Sequence, residues 1–373
     1  MKNIVVALGH NDRVCQIDLR VIGNLQCDRI LAAMQVPFPA LTDLLLQSGA
    51  GETAPVIPDT FLGRSAPRLQ SFNLQAISFP GLPKLLLTTT DLVRLDLFSF
   101  PDSRYISPEA MAACLSVLTR LDTLCLEFRS SQSLPDMEGR RPPPVTRSIL
   151  PDLTIFLFVG ASEYLEYLVE RIDAPRLHAL SITFLHQMNL DTPRLVQFIR
   201  RTPSFDGPNE AHVGYTYELD AVVRLLWASY DYRKLSVGMF PEVSAQADQQ
   251  LSPMAQICTM CLPPLLTVEN LRLDFSTERL YSEIKMGRDA DVDQWLEFLR
   301  PFTGVKSLYL SVEFQPNMAS ALQKLVGTAE VLPSLQNIFL ERPEPSGAFQ
   351  EAIGQFVAAR QLSGHPIAIY AWD

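Results

Sequence analysis

Ala174-Pro175-Arg176-Leu177-His178-Ala179-Leu180-Ser181-Ile182-Thr183-Phe184 decides how the chain is read. Pro175 stops whatever precedes it, because the ring fixes φ and removes a backbone donor. Leu180, Ile182 and Phe184 then alternate with Ala179, Ser181 and Thr183, the period of a strand with one buried face. The same grammar returns at Ala66-Pro67-Arg68-Leu69-Gln70-Ser71-Phe72-Asn73-Leu74 and at Leu332-Pro333-Ser334-Leu335-Gln336-Asn337-Ile338-Phe339-Leu340. A segment that recurs in this way is a repeat unit.

Working outward, the first apolar position of each Leu-x-x-Leu-x-Leu-like unit falls at Val14, Leu41, Leu69, Leu92, Leu121, Leu153, Leu177, Tyr232, Val268, Val305 and Leu335. The period is irregular, about 23–37 residues. A wider step between Leu177 and Tyr232 hides a degenerate unit at Glu210-Ala211-His212-Val213-Gly214-Tyr215.

Segments with helical spacing lie between the strands. Ser107-Pro108-Glu109 opens one over 110–118, with a capping hydroxyl, proline at the first position and an acid in the first turn. Others are expected over 164–172, 194–200, 218–229, 291–299, 318–325 and 349–360. Strand, helix, strand at this spacing predicts right-handed crossovers and a parallel sheet. The expected fold is α/β: a leucine-rich-repeat-like solenoid over 1–373, one strand per repeat, helices on the outer face, and a capping strand within 366–373. The Pro-rich stretch 129–148 and the stretches 241–256 and 276–289 read as surface insertions.

Net charge is −10, with 31 Lys and Arg against 41 Asp and Glu. A general nucleic-acid or anionic-membrane surface would need clustered cations, so neither partner is expected. No apolar run reaches the length of a membrane span, and no secretory segment opens the chain. The cysteines form no disulfide framework, which fits reduced thiols in the cytoplasm or nucleus.

The motifs that carry chemistry are weak here. Cys258-Thr259-Met260-Cys261 is a lone pair without the further ligands zinc needs, and packed thiols are the reading taken. Ser48-Gly49-Ala50-Gly51-Glu52-Thr53 lacks the Lys-Ser/Thr ending of a phosphate loop and reads as a turn. Asp289, Asp291 and Asp293 lack the glycine and closing glutamate of a calcium loop and suit the start of a helix. His10, His178, His186, His212 and His365 are scattered. No catalytic residue, cofactor or metal is assigned.

The better candidate is the concave face. In each unit the residue between the last two apolar positions points away from the core, giving Asp18, Leu45, Asn73, Asp96, Cys125, Leu157, Ser181, Ser236, Arg272, Tyr309 and Phe339. This mixed ladder suits protein recognition. Arg272, Tyr309 and Phe339 are of the types that most often carry binding energy, and Asp96 and Asn73 add polar contacts.

The Pro-x-Leu-x-x-Leu-x-Leu units resemble the leucine-rich-repeat portion of fungal F-box proteins of the mushroom type. So do Phe198-Ile199-Arg200-Arg201-Thr202-Pro203-Ser204-Phe205 before Glu210-Ala211-His212-Val213, and the ending Arg360-Gln361-Leu362-Ser363-Gly364-His365-Pro366-Ile367. The opening Asn11-Asp12-Arg13-Val14-Cys15-Gln16-Ile17-Asp18-Leu19 is similar to the first repeat after the F-box in such proteins. The resemblance implies the substrate-binding part of a ubiquitin-ligase receptor, which performs no chemistry itself. It implies a Skp adaptor as partner only where an F-box of Leu-Pro-x-Glu and amphipathic helices lies upstream of Met1. Leu134-Pro135-Asp136-Met137-Glu138 echoes that motif, but Gly139 and the following prolines cannot continue as its helix. A stand-alone repeat scaffold without a ubiquitin role is the alternative, and an enzyme a more distant one.

Overall fold

A computed structural model describes residues 2–49, 54–100, 106–128, 147–185, 190–215, 221–227, 233–240, 251–262, 265–275, 292–312, 314–325, 331–341 and 347–372. Among these residues the fold is α/β, with a mostly parallel sheet of 14 strands that is not closed into a barrel. The chain forms two compact units, Met1–Leu180 with Arg201–Ser204, and Ser181–Arg200 with Phe205–Asp373.

In the first unit the order is α1 (Lys2–Leu8), β1 (Gln16–Ile22), α2 (Asn24–Ala33), β2 (Asp43–Ser48), β3 (Ser71–Gln75), α3 (Leu82–Leu86), β4 (Arg94–Phe100), α4 (Pro108–Leu115), β5 (Thr123–Phe128), β6 (Ser148–Ile149), β7 (Ile155–Gly160), α5 (Ser162–Val169) and β8 (Ile172–Asp173). Strands β1, β2, β3, β4, β5 and β7 lie side by side and parallel, while β6 and β8 form a small separate pair. The capping Ser107 behaves as its sequence requires, its Oγ accepting from the Ala110 N–H at 3.2 Å.

β9 (Ala179–Leu185) is followed, mostly in the second unit, by α6 (Pro193–Arg200), β10 (Glu210–Tyr215), β11 (Ala221–Leu226), β12 (Lys234–Phe240), α7 (Leu251–Gln256), β13 (Asn270–Phe275), α8 (Val292–Leu299), β14 (Ser307–Leu310), α9 (Gln315–Leu325), β15 (Asn337–Glu341), α10 (Ala348–Leu362) and β16 (Ala368–Trp372). β10, β13, β14, β15 and β16 are parallel neighbours. The chain departs from this at β10–β11–β12, an antiparallel meander that reverses direction twice.

That meander corrects the helix expected over 218–229. Ala221-Val222-Val223-Arg224-Leu225-Leu226 is a strand with burial on both faces, so its apolar residues carry no clean helical or strand period. β-Branched Val222 and Val223 favour the pleated surface. A second correction concerns 241–256: its last residues form α7, in which Leu251, Met254 and Ala255 are buried, while 241–250 lie outside the described residues. The Pro-rich residues 129–146 and the insertion 276–289 also lie outside them.

The repeat grammar has a concrete structural meaning. Leu41, Leu69, Leu92, Leu121, Leu153 and Leu177 each donate their backbone N–H to the carbonyl three residues back, on Phe38, Ala66, Thr89, Leu118, Leu150 and Ala174. Val268, Val305 and Leu335 do the same to Leu265, Phe302 and Leu332. Nine strands (β2, β3, β4, β5, β7, β9, β13, β14 and β15) are therefore entered through a tight turn whose first and last residues are buried. Pro67, Pro151, Pro175 and Pro333 occupy the second turn position, where a fixed φ near −65° is already correct. Beyond each turn, alternate strand residues form the core, among them Leu44, Phe72, Leu95, Leu124 and Phe156 in the first unit and Val213, Leu271, Leu308 and Ile338 in the second. Each such burial stabilises by roughly 1.5–3 kcal/mol relative to exposure.

Candidate functional site

Strand register decides which side chains share the face opposite the core. In the first unit Asp18, Leu45, Asn73, Asp96, Cys125 and Leu157 are successive cross-strand partners. In the second, the row runs Ser236, Arg224, His212, Arg272, Tyr309, Phe339, Tyr370. Ser181 aside, the residues of the sequence ladder hold this register, with Cys125 and Ser236 buried, and the structure adds Arg224, His212 and Tyr370 to them.

The two rows differ chemically. Asp96 is only 1% exposed. Its Oδ2 accepts from Asn73 Nδ2 at 3.0 Å and from Arg94 Nε at 2.6 Å, and its Oδ1 is buried without a hydrogen-bond partner. Expected at the surface, this carboxylate instead serves the sheet internally, with Asn73 half-buried beside it. Burial pushes the adjacent Cys125 thiol up to about 12, and the Asp96 carboxylate pushes in the same direction. A thiol held so far above neutral pH is not a nucleophile under ordinary conditions.

The second row is an ordered file of rings and cations. Tyr309 and Phe339 stack with centroids 4.4 Å apart and planes 7° apart. Phe339 and Tyr370 continue the stack at 5.1 Å and 22°. Trp372 meets Tyr309 edge-on at 5.9 Å. The Arg272 guanidinium lies 4.4 Å from the Trp372 ring centre and 5.5 Å from that of Tyr309. Arg272 Nε and Trp372 Nε1 are both buried donors without a partner. Beyond Arg272, His212 Nε2 sits 2.6 Å from Glu210 Oε1. Parallel register explains the file: identical offsets on β13, β14, β15 and β16 bring every such side chain to the same height.

Cys258 and Cys261 lie in a turn of π-helix after α7, both buried, and burial raises the Cys258 thiol well above its ordinary range. No group of His, Cys, Asp or Glu among the described residues could hold a metal ion. His10 and His365 are exposed, His178 is half-buried, and His186 lies outside the described residues. Asp293 accepts from Lys324 Nζ at 2.9 Å at the start of α8. Asp289 and Asp291, like residues 50–53 of the glycine-rich stretch, lie outside the description. Among the described residues, no helix is long and apolar enough to cross a membrane.

Of the missed members, Tyr370 had a signal in the sequence. Tyr370 is placed by matching Ile367-Ala368-Ile369-Tyr370 to Gln336-Asn337-Ile338-Phe339, which aligns Ile369 with Ile338. Arg224 had none, because its segment was expected to be helical. A scan against protein-family models finds no match for this chain, and a search of curated proteins finds none either.

Proposed function

We propose that the chain is a protein-recognition module built as a leucine-rich-repeat-like solenoid, and that it works as the substrate-holding part of an F-box-type receptor. The observation that carries recognition is the in-register file Arg272–Tyr309–Phe339–Tyr370. Rings and a guanidinium concentrated on one sheet face are the composition of binding hot spots. The turn that recurs before nine of the strands and the parallel register support the repeat architecture. The ubiquitin connection rests on the resemblance of the repeat units alone.

Proximity labelling in cells separates these layers. Wild type and a Tyr309→Ala/Phe339→Ala variant, first shown by circular dichroism to be folded, are compared. Loss of a specific set of labelled proteins in the variant is the expected result; an unchanged set removes the face from the proposal. Recovery of a Skp-type adaptor with the natural full-length product supports the receptor role. Its absence alongside face-dependent partners leaves a scaffold with no ubiquitin role.

A further inference from the structure

We infer that the face formed by β11, β10, β13, β14, β15 and β16 takes an acidic segment of a partner protein, its carboxylates held by Arg272 and Arg224. This deepens the recognition reading above and rests on it. Three observations lead there.

The cations come first. Arg224, His212 and Arg272 are direct cross-strand neighbours, so three basic side chains line up across adjacent strands of a chain whose net charge is −10. His212 is matched by Glu210. Neither Arg224 nor Arg272 has an ion-pair partner among the described residues. Glu210, Asp274 and Glu341 share these strands' outward positions but are already engaged, so the two guanidiniums are the unmatched charges and draw a carboxylate to one place.

Next are the orphaned donors. Arg272 Nε and Trp372 Nε1 are N–H groups on the same face with no acceptor. A buried donor left unmatched is unfavourable, and a carboxylate is the strongest acceptor a protein segment offers. Trp372 and Tyr309 already fix the guanidinium plane, so little side-chain freedom remains to be lost on binding.

The rings decide between ligand classes. Both faces of Phe339 are covered, one by Tyr309 and the other by Tyr370, and Tyr309 lies between Phe339 and Arg272. Nucleobases recognised on a sheet stack on open ring faces. Phe339 has none to offer. Tyr370, 48% exposed on the last strand of the sheet, ends the stack with an outer face, while Phe339 and Tyr309 within it present their edges, the positive part of the aromatic quadrupole, which favours carboxylate oxygens.

The test pans a random displayed peptide library on the whole chain and measures affinity of labelled recovered peptides by fluorescence anisotropy. Recovered peptides should be rich in Asp and Glu and should bind less tightly as salt rises. Arg272→Gln should weaken them about 10-fold or more, and Arg224→Gln, which disturbs no ring packing, should weaken them in the same direction. Arg272→Lys, which keeps the charge but loses Nε, should fall between. Peptides without acidic excess that still lose binding in Tyr370→Ala would sink the carboxylate assignment and leave the recognition face standing. No recovered peptide, or peptides indifferent to Arg272→Gln and Tyr370→Ala alike, would overturn both. Displacement of a bound acidic peptide by a single-stranded oligonucleotide but not by free glutamate-rich peptide would reassign the face to nucleic acid.

Discussion

Gly214 on β10 lies so close to Asp274 on β13 that a Cβ at 214 would stand 1.7 Å from the Asp274 carbonyl oxygen. The parallel pairing that places His212 beside Arg272 therefore depends on the absence of a side chain two residues further on. Gly214→Ala must push the strands apart, and overpacking of this kind destabilises by about 1–3 kcal/mol. Gly354, exposed in α10 with nothing within 4 Å of its added Cβ, is the control. Gly354→Ala should stabilise by about 0.5–1 kcal/mol, since alanine is the better helix former. Urea midpoints of the two variants should move in opposite directions.

Arg360 is 6% exposed, lies over the Phe356 ring at 5.3 Å, and donates through Nη2 to the carbonyls of Val331 at 2.9 Å and Leu332 at 3.1 Å. Those carbonyls belong to the turn that leads into β15. Arg360→Met keeps much of the packing but takes the donor from the Val331 carbonyl, while Leu332 retains its bond from the Leu335 N–H, at a cost of about 1–3 kcal/mol. Chemical denaturation should show the loss, and a midpoint within error of wild type would mean that the turn finds other donors.

Ser107 offers a smaller effect at a cleaner position. Its hydroxyl closes the first turn of α4 on the Ala110 N–H. Ser107→Ala should lower stability by about 1 kcal/mol, while Ser107→Asp should retain most of the wild-type value because a carboxylate also caps and favours the helix N-terminus.

The thiols give a pH-dependent prediction. Burial raises Cys114 from an ordinary 9.0 to about 11. Between those values the unfolded chain has released a proton that the folded chain keeps, so stability is full below 9.0 and falls as pH rises towards 11. Cys114→Ala should flatten the alkaline limb of a plot of urea midpoint against pH. In native protein at mildly alkaline pH, iodoacetamide should modify exposed Cys15 and spare Cys27, Cys114, Cys125, Cys258 and Cys261 until denaturant is added.

What could be read in the sequence follows from which physical constraints leave a mark on residue order. The strand entries were legible because one turn recurs: buried residue, often proline, exposed residue, buried leucine, as at Ala174–Leu177. The face ladder was legible because parallel strands entered by the same turn keep the same register. The meander was not. β11 is buried on both sides, so no alternation marks it, and its neighbours run against it, so no repeat length announces it. α7 was obscured by Pro253 and by polar Ser252 and Gln256, although its apolar residues are buried. The fate of Asp96 was equally hidden, because a residue's distance from the core face does not say whether an arginine and an asparagine will close around it.

The meander also has a kinetic side. Elsewhere in the second unit, strands that pair are separated by a helix-bearing connection, as β13 and β14 are by α8. Non-local pairing of that sort must wait until long loops have been closed. Within Glu210–Phe240 spatial neighbours are sequence neighbours, and a hairpin closes in roughly 1–10 μs. The irregular stretch is thus placed to act as the unit's folding nucleus, with conservative truncations at Val223 and Leu235 slowing refolding and those at Leu308 and Ile338 mainly speeding unfolding. The interruption in the array would then be the seed from which its regular part grows.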